Sequence, residues 1–415
     1  MQKTALEQVL TYQKSTFLKK NEGIRREINY DSHTKSGQVS VIMGPRRSGK
    51  STLLKQFASE YKNIGYVNFD DERLLEFTIS DFEQMMEIFL KDGEIDALFF
   101  DEIQNIPQWE RFIRRIHDEG YKTFVTGSNA SLLSSELATH LTGRHKDIVL
   151  YPFSFLEFCH FHKIETKYSS TIEKAQLIKE FKKYLEQGGY PEYLQTLDPE
   201  QHQHIYEDTL YKDIAVRFKV EDTRVLRDFG RLLFASFSKE ISFTSMAKTL
   251  GVKAMQTIKM YTRYFEDTYL AFELLRFDHS FKKQIIGQRK IYAVDHGLCQ
   301  HIYHRVTEDK GRLLENIVAI ELKRMGVEFY VHKEKFECDF LLREKDLIPT
   351  QAIQVTWELS PENREREMNG IREVLEKYPK IDCLLLTLDH EGEEHIGNKV
   401  IQILPVWKWL CGKKF

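Results

Sequence analysis

"VIMGPRRSGKSTLLKQF", Val41 to Phe57, is a short apolar run, a loop bounded by glycines, and then a stretch with helical spacing. The preceding "QVSVIM" adds Val39, so that Val39, Val41 and Ile42 form a buried-strand pattern, and Leu53, Leu54, Phe57 and Tyr61 recur as one face of a helix. Between the two elements, Gly44, Gly49, Lys50 and Ser51 fill the pattern GxxxxGK[ST], with Pro45, Arg46, Arg47 and Ser48 inside the loop and Thr52 directly after it. Glycines at these positions let successive backbone N–H groups turn inward, and the dipole of the following helix favours an anion there. Lys50 is then placed to reach β- and γ-phosphates and Ser51 to ligate Mg²⁺, so ATP with Mg²⁺ is the expected ligand. A chance match would not need a strand before the loop and a helix after it; this one has both.

Such a loop needs a second strand that ends in acid. "DALFFDEIQ" runs apolar from Ala97 to Phe100 and then presents Asp101 and Glu102. The spacing predicts Asp101 as a metal holder and Glu102 as the group that orients the attacking water, since phosphoryl transfer depends on positioning and charge neutralisation. A third strand candidate, "KTFVTGSNA", ends in Thr126, Gly127, Ser128 and Asn129. If it lies beside the phosphate-loop strand, Ser128 or Asn129 meets the γ-phosphate or the lytic water in the role called sensor 1; otherwise it is a Gly-Ser-Asn turn.

These segments, read in order, resemble a known family. "GPRRSGKST", "VNFDDERL", "FFDEIQNIPQWE", "VTGSNASLL", "HLTGRHKDIVLYPFSFLEF" and "GGYPEY" are similar to AAA-type ATPases of bacteria and archaea whose C-terminal part is a domain of unknown function related to PD-(D/E)xK nucleases. The resemblance implies an α/β fold: a P-loop parallel sheet over residues 1–150, a helical lid over 151–200, a winged-helix domain over 201–283 and a nuclease-like α/β domain over 284–415. It makes Asn129 or Ser128 the sensor and Arg144, in "LTGR", the arginine that touches γ-phosphate. Arg144 acts in cis, acts in trans as an arginine finger that requires an oligomer, or only caps a helix. In the lid, Gly188 and Gly189 end the helical stretch "EKAQLIKEFKKYLEQGG" before Pro191, as a hinge or as a plain helix C-cap.

Composition bounds the remaining choices. The chain has 415 residues, 41% hydrophobic and 30% charged, with no apolar run near the ~20 residues a membrane span requires. No membrane role and a cytoplasmic location are expected, and the first twenty residues lack a signal-peptide core. Five cysteines without CxxC spacing suggest neither zinc nor disulfides. A net charge of −3 gives no global attraction to nucleic acid, so any DNA contact requires a local basic patch.

One such patch lies in "SFTSMAKTLGVKAMQTIKMYTRYFEDTYLAFELLRF", Ser242 to Phe277, which reads as helix, turn at Gly251, helix and strand. Ile258, Tyr261 and Phe265 form its buried face; Lys253, Lys259 and Arg263 are candidates for phosphates, and Gln256 and Thr257 for base edges. Duplex or branched DNA is the expected partner, with a partner protein as the alternative. The last domain places Glu315 on a helix, Glu337 and Asp339 on "FECDFLL", and Gln354 and Thr356 on "AIQVTW". The nuclease resemblance implies a divalent metal between the helix acid, the strand Asp and an (E/Q)xK pair, yet Thr356 stands where the lysine belongs, and a degenerate domain is expected. Trp407 and Trp409 alternate as in a closing strand or a domain contact.

Overall fold

The structure is a computed structural model that describes residues 1–91, 93–128, 141–302, 310–343 and 348–412. It forms two compact units, Met1–Tyr151 and Pro152–Phe415. In the first unit five strands, β1 (Val39–Met43), β2 (Ile64–Asn68), β3 (Ala97–Asp101), β4 (Thr123–Gly127) and β5 (His145–Val149), make one sheet in the order β2-β3-β4-β1-β5. Every pairing is parallel. Parallel strands need crossovers that cover both faces, so their sequences run continuously apolar; every residue of β1, β3 and β4 is buried. The helix Lys50–Ala58 packs on one face through Leu53, Leu54 and Phe57, and the Phe57 ring stacks on Phe124 at 4.8 Å, which in turn stacks on Phe99 at 4.9 Å. This packing fixes the helix, and with it the loop that leads into it. Because all strands point the same way, the ends of β1, β3 and β4 meet at one edge of the sheet.

The second unit begins with helices started by capping boxes, Ser154 with Glu157 and Ser170 with Glu173. The expected lid segment, 151–200, lies within this unit except for Tyr151, the last residue of the first. Gly188 and Gly189 are packed rather than free to pivot. A Cβ on Gly189 would lie 2.3 Å from the Phe153 carbonyl oxygen and one on Gly188 2.5 Å from Asp295, whose other oxygen accepts the Gly189 N–H at 2.8 Å. The glycines permit a close crossing, which argues against a hinge at this point.

Further along, β6 (Lys239–Ile241), β7 (Ala271–Leu275) and β8 (Arg289–Ala293) form an antiparallel sheet in the order β6-β8-β7, with the helices Phe243–Thr249 and Met255–Asp267 between β6 and β7. Ile258, Tyr261 and Phe265 are buried as their spacing predicts. Although β8 follows the boundary expected at residue 283, its hydrogen bonds go to β6 and β7; nothing local in "KIYAVDHGL" reveals a partner that far upstream. The rest builds a mixed six-stranded sheet, β13-β14-β12-β11-β10-β9, from β9 (Glu328–Lys333), β10 (Glu337–Arg343), β11 (Pro349–Val355), β12 (Asp382–Thr387), β13 (Gly392–Ile396) and β14 (Lys399–Pro405). Trp407 and Trp409 lie on the helix Val406–Gly412 and not on a strand: β14 ends at Pro405, and Trp407 is then buried from a helical turn. The five cysteines are all free thiols. Among the described residues no helix is long and apolar enough to cross a membrane.

His202 tests the packing of the second unit. Its ring is fully buried, stacked 4.3 Å from His301, and neither ring nitrogen has a hydrogen-bond partner. Burial lowers its pKa to about 4 from 6.5, so between those values the unfolded chain binds a proton that the folded chain does not. Stability therefore falls as pH is lowered from 6.5 towards 4. His202→Phe is expected to flatten the dependence of Tm on pH in that window, measured by calorimetry at intervals of half a pH unit; an unchanged slope would contradict the buried neutral ring.

Candidate functional site

The site is built at the edge where β1, β3 and β4 end. The loop leaves β1 at Gly44, whose φ is +146° and whose Cα lies so close to Leu150 that a Cβ would sit 2.1 Å from its carbonyl oxygen. Gly49 has φ +95° and forms the N-cap of the helix Lys50–Ala58, so both glycines occupy conformations that side chains resist. Arg47 also has positive φ, at 62°. Lys50 is buried, and its ammonium donates to the carbonyls of Gly44 at 3.1 Å and Pro45 at 3.0 Å, folding back into the loop it follows. Ser48 Oγ is fully buried within the loop without a hydrogen-bond partner, an unmet group of the kind a phosphate oxygen satisfies. Arg46 and Arg47 are half-buried and Thr52 is exposed.

The acids arrive from β3. Asp101 is buried and accepts a hydrogen bond from Thr126 Oγ1 at 2.5 Å. Burial pushes its carboxyl above the ordinary aspartate range, as does neighbouring Glu102, while Thr126, Ser51 and Lys50 act in the opposite direction. A buried carboxylate opposed by desolvation, with a serine hydroxyl near it, is an oxygen donor set that a hard cation stabilises, so these residues fit Mg²⁺. Glu102 is left-handed, with φ 52°, which turns it away from the strand line. Its N–H donates to Thr126 Oγ1 at 2.9 Å, and its carboxylate accepts from Gln104 at 2.5 Å and Ser128 at 3.2 Å, with Lys50 Nζ 4.0 Å away.

The structure thus brings Lys50, Ser51, Asp101, Glu102 and Ser128 together. Asn129 lies outside the described residues. Arg144 is not brought to the loop of its own chain. Its carbonyl accepts the N–H of Val39, at the start of β1, whereas the loop leaves the end of that strand, four residue steps or about 13 Å further on. Its guanidinium lies 3.2 Å from Asp118, and it is partly exposed. Sequence reading had no sign of two supporting groups. Thr126 was legible only as a residue at the end of the third strand, with no role given to it. Arg26, from an unpatterned stretch, is buried under the loop and donates to the carbonyls of Ser48 at 2.9 Å and Tyr151 at 2.6 Å.

In the second unit Glu315, Asp339, Gln354 and Thr356 line one cavity of about 520 Å³, together with Glu337 and Glu367. Its chemistry is set by a lysine that sequence reading did not associate with them, Lys290 on β8.

Residues 36–159 match the model of a family described as an AAA domain, and residues 178–309 match a domain of unknown function (DUF8612). An uncharacterized protein of Methanocaldococcus jannaschii, MJ1544, is 34% identical over 92% of this chain and 90% of its own length; an uncharacterized protein of Haemophilus influenzae is 32% identical over 90% and 94%. The chain belongs to the family of these two proteins. Its AAA domain, with the site described above, makes it an NTP-hydrolysing enzyme of the P-loop class. AMPPCP-bound DnaA from Aquifex aeolicus is a distant likeness, with a TM-score of 0.26 and 15% identity over 57% of this chain and 85% of that one.

Thr126 should tune hydrolysis without contacting nucleotide. Thr126→Val removes a donor that stabilises ionised Asp101 and an acceptor for the Glu102 N–H, so the Asp101 pKa rises further and the acid limb of the pH–rate profile moves to higher pH. By analogy with outer-shell substitutions, kcat should fall about 10- to 100-fold with a smaller change in KM. A steady-state pH profile of both forms checks this; an unmoved acid limb would count against the role.

Proposed function

We propose that the protein binds Mg-ATP at the edge of the parallel sheet, hydrolyses it, and couples turnover to binding or remodelling DNA. The observation that carries the first part is that the end of the phosphate loop and the acidic strand end meet, with Lys50 Nζ 4.0 Å from Glu102 and the buried Asp101 carboxyl beside Ser51 and Lys50. Mg²⁺, when bound, neutralises phosphate charge; Ser51 and Asp101 are the residues that would hold it. Lys50 binds phosphate oxygens in place of the loop carbonyls it now touches. The loop residues Gly44, Pro45, Arg46, Arg47, Ser48, Gly49 and Thr52 surround the phosphates, with backbone N–H groups as the main donors. Glu102, steadied by Gln104 and Ser128, orients the attacking water, and Asn129 senses the γ-phosphate. Arg144 acts in trans: its distance from its own loop and its exposure support a finger that reaches a neighbouring subunit's nucleotide, in an oligomer.

The DNA part rests on the second unit. The winged-helix reading is supported by two helices that lie between β6 and β7 of the sheet β6-β8-β7, and by Gln256, Lys259 and Arg263, which are exposed on the second helix opposite its buried face. A second reading is a switch that docks a partner protein. It is favoured by Met255 and Met260, both exposed on that same helix, and by Arg263 lying 3.9 Å from Asp267, which reduces its charge towards phosphate. The nuclease-like reading of residues 284–415 is supported by the convergence of Glu315, Asp339 and Gln354 in one cavity.

Steady-state ATP turnover with and without duplex and branched DNA, across a salt series, distinguishes the two couplings. Stimulation by DNA that fades as salt rises is the expected result, because phosphate contacts release counterions. Turnover indifferent to DNA at low salt would overturn the DNA reading in favour of the protein-directed switch.

A further inference from the structure

The carboxylates of the C-terminal cavity close on an ammonium group. Lys290 is 3% exposed, and its Nζ lies 2.6 Å from Glu337, 2.8 Å from Glu315 and 3.3 Å from Asp339. An ammonium has three protons and no acceptor, so three carboxylates use its full capacity. The acids are engaged elsewhere as well. The Tyr292 hydroxyl donates to the same Glu315 oxygen at 2.6 Å, the Val355 N–H donates to the second oxygen of Asp339 at 2.9 Å, and Lys333 holds the second oxygen of Glu337 at 3.0 Å. Gln354 is occupied at both ends, accepting from the Asp339 N–H at 3.2 Å and donating to Glu367 at 2.7 Å.

The nuclease resemblance implies a divalent metal between these residues, and the residues do not fit one. Such an ion needs carboxylate lone pairs directed at it from roughly 2.0–2.6 Å. Here N–H and O–H donors already hold both oxygens of Asp339 and Glu337 and one oxygen of Glu315, and an added dication would be pressed against a buried cation that repels it. Among the described residues no group of three or more His, Cys, Asp or Glu is arranged to hold a metal ion.

We propose that Lys290 is the resident cation of this cavity, standing where the nuclease resemblance calls for a divalent metal, so that the C-terminal unit works without metal-dependent cleavage. The lysine missing from Thr356 is present after all. It arrives from β8 of the three-stranded sheet and sits among the acids instead of beside a metal. This inference is independent of the ATPase reading.

The test is titration of the full chain with Mn²⁺ alone, without nucleotide, bound metal being read from loss of the free-ion EPR signal. Wild type and Glu315→Gln should give superimposable curves. Lys290→Met should bind one further Mn²⁺ per chain, and the double variant Lys290→Met/Asp339→Asn should lose it. Mn²⁺ binding by wild type that Glu315→Gln removes would overturn the proposal, as would a Lys290→Met protein with wild-type circular dichroism and no added site. If Lys290→Met does not fold, the comparison of wild type with Glu315→Gln decides alone: superposition supports the resident cation and a lost site refutes it.

Discussion

The phosphate site depends on the register of three parallel strands. β1 delivers the loop, β3 delivers Asp101 and Glu102, and β4 lies between them and ties them together through Thr126, whose hydroxyl donates to Asp101 and accepts from the Glu102 N–H. A parallel sheet sets its register through buried side chains on both faces, so the aromatic stack of Phe57, Phe124 and Phe99 is also what aligns the chemistry at the sheet edge. A shift of β4 by one residue would move Thr126 to the other face and separate the two acidic residues from their common hydrogen-bond partner. The glycines at 44 and 49 answer a different constraint: the loop must pass against the Leu150 carbonyl and enter a helix from a left-handed turn.

Two buried basic groups show how differently the units use charge. Arg26 carries its positive charge to backbone carbonyls under the phosphate loop, joining Ser48 to Tyr151 at the end of the first unit. Lys290 carries its charge to three carboxylates, a group of acids that without a cation at their centre would repel one another. In the first unit the cation steadies a loop and leaves room for phosphate chemistry. In the second it fills the place where metal chemistry would be expected.

What the sequence made legible was local. The loop, the acidic strand end and the buried face of the helix Met255–Asp267 were readable because periodicity and residue type act over a few positions. Pairings across long separations were not. Lys290 lies 25 residues from Glu315 and 49 from Asp339, and no spacing rule connects a strand of one sheet to the acids beside another. Arg144 was readable as an arginine in a suggestive tetrapeptide, but only the β1–β5 register shows that it lies at the far end of the strand from its own loop. Trp407 and Trp409 alternate like strand residues, while the break at Pro405 converts the segment to a helical turn. Gly188 and Gly189 looked like punctuation; their neighbours Phe153 and Asp295 show that they permit close packing.

In the proposed mechanism Lys50 grips the phosphates and Glu102 acts only on the attacking water. Equilibrium binding of ATP to Lys50→Ala and Glu102→Gln, with the state of the bound nucleotide analysed after recovery, tests both halves at once. The account predicts at least about a hundredfold weaker binding by Lys50→Ala, the scale of losing charge-assisted hydrogen bonds to phosphate, and intact ATP retained at near wild-type affinity by Glu102→Gln. Tight ATP binding by Lys50→Ala, or ADP recovered from Glu102→Gln at the wild-type rate, would contradict it.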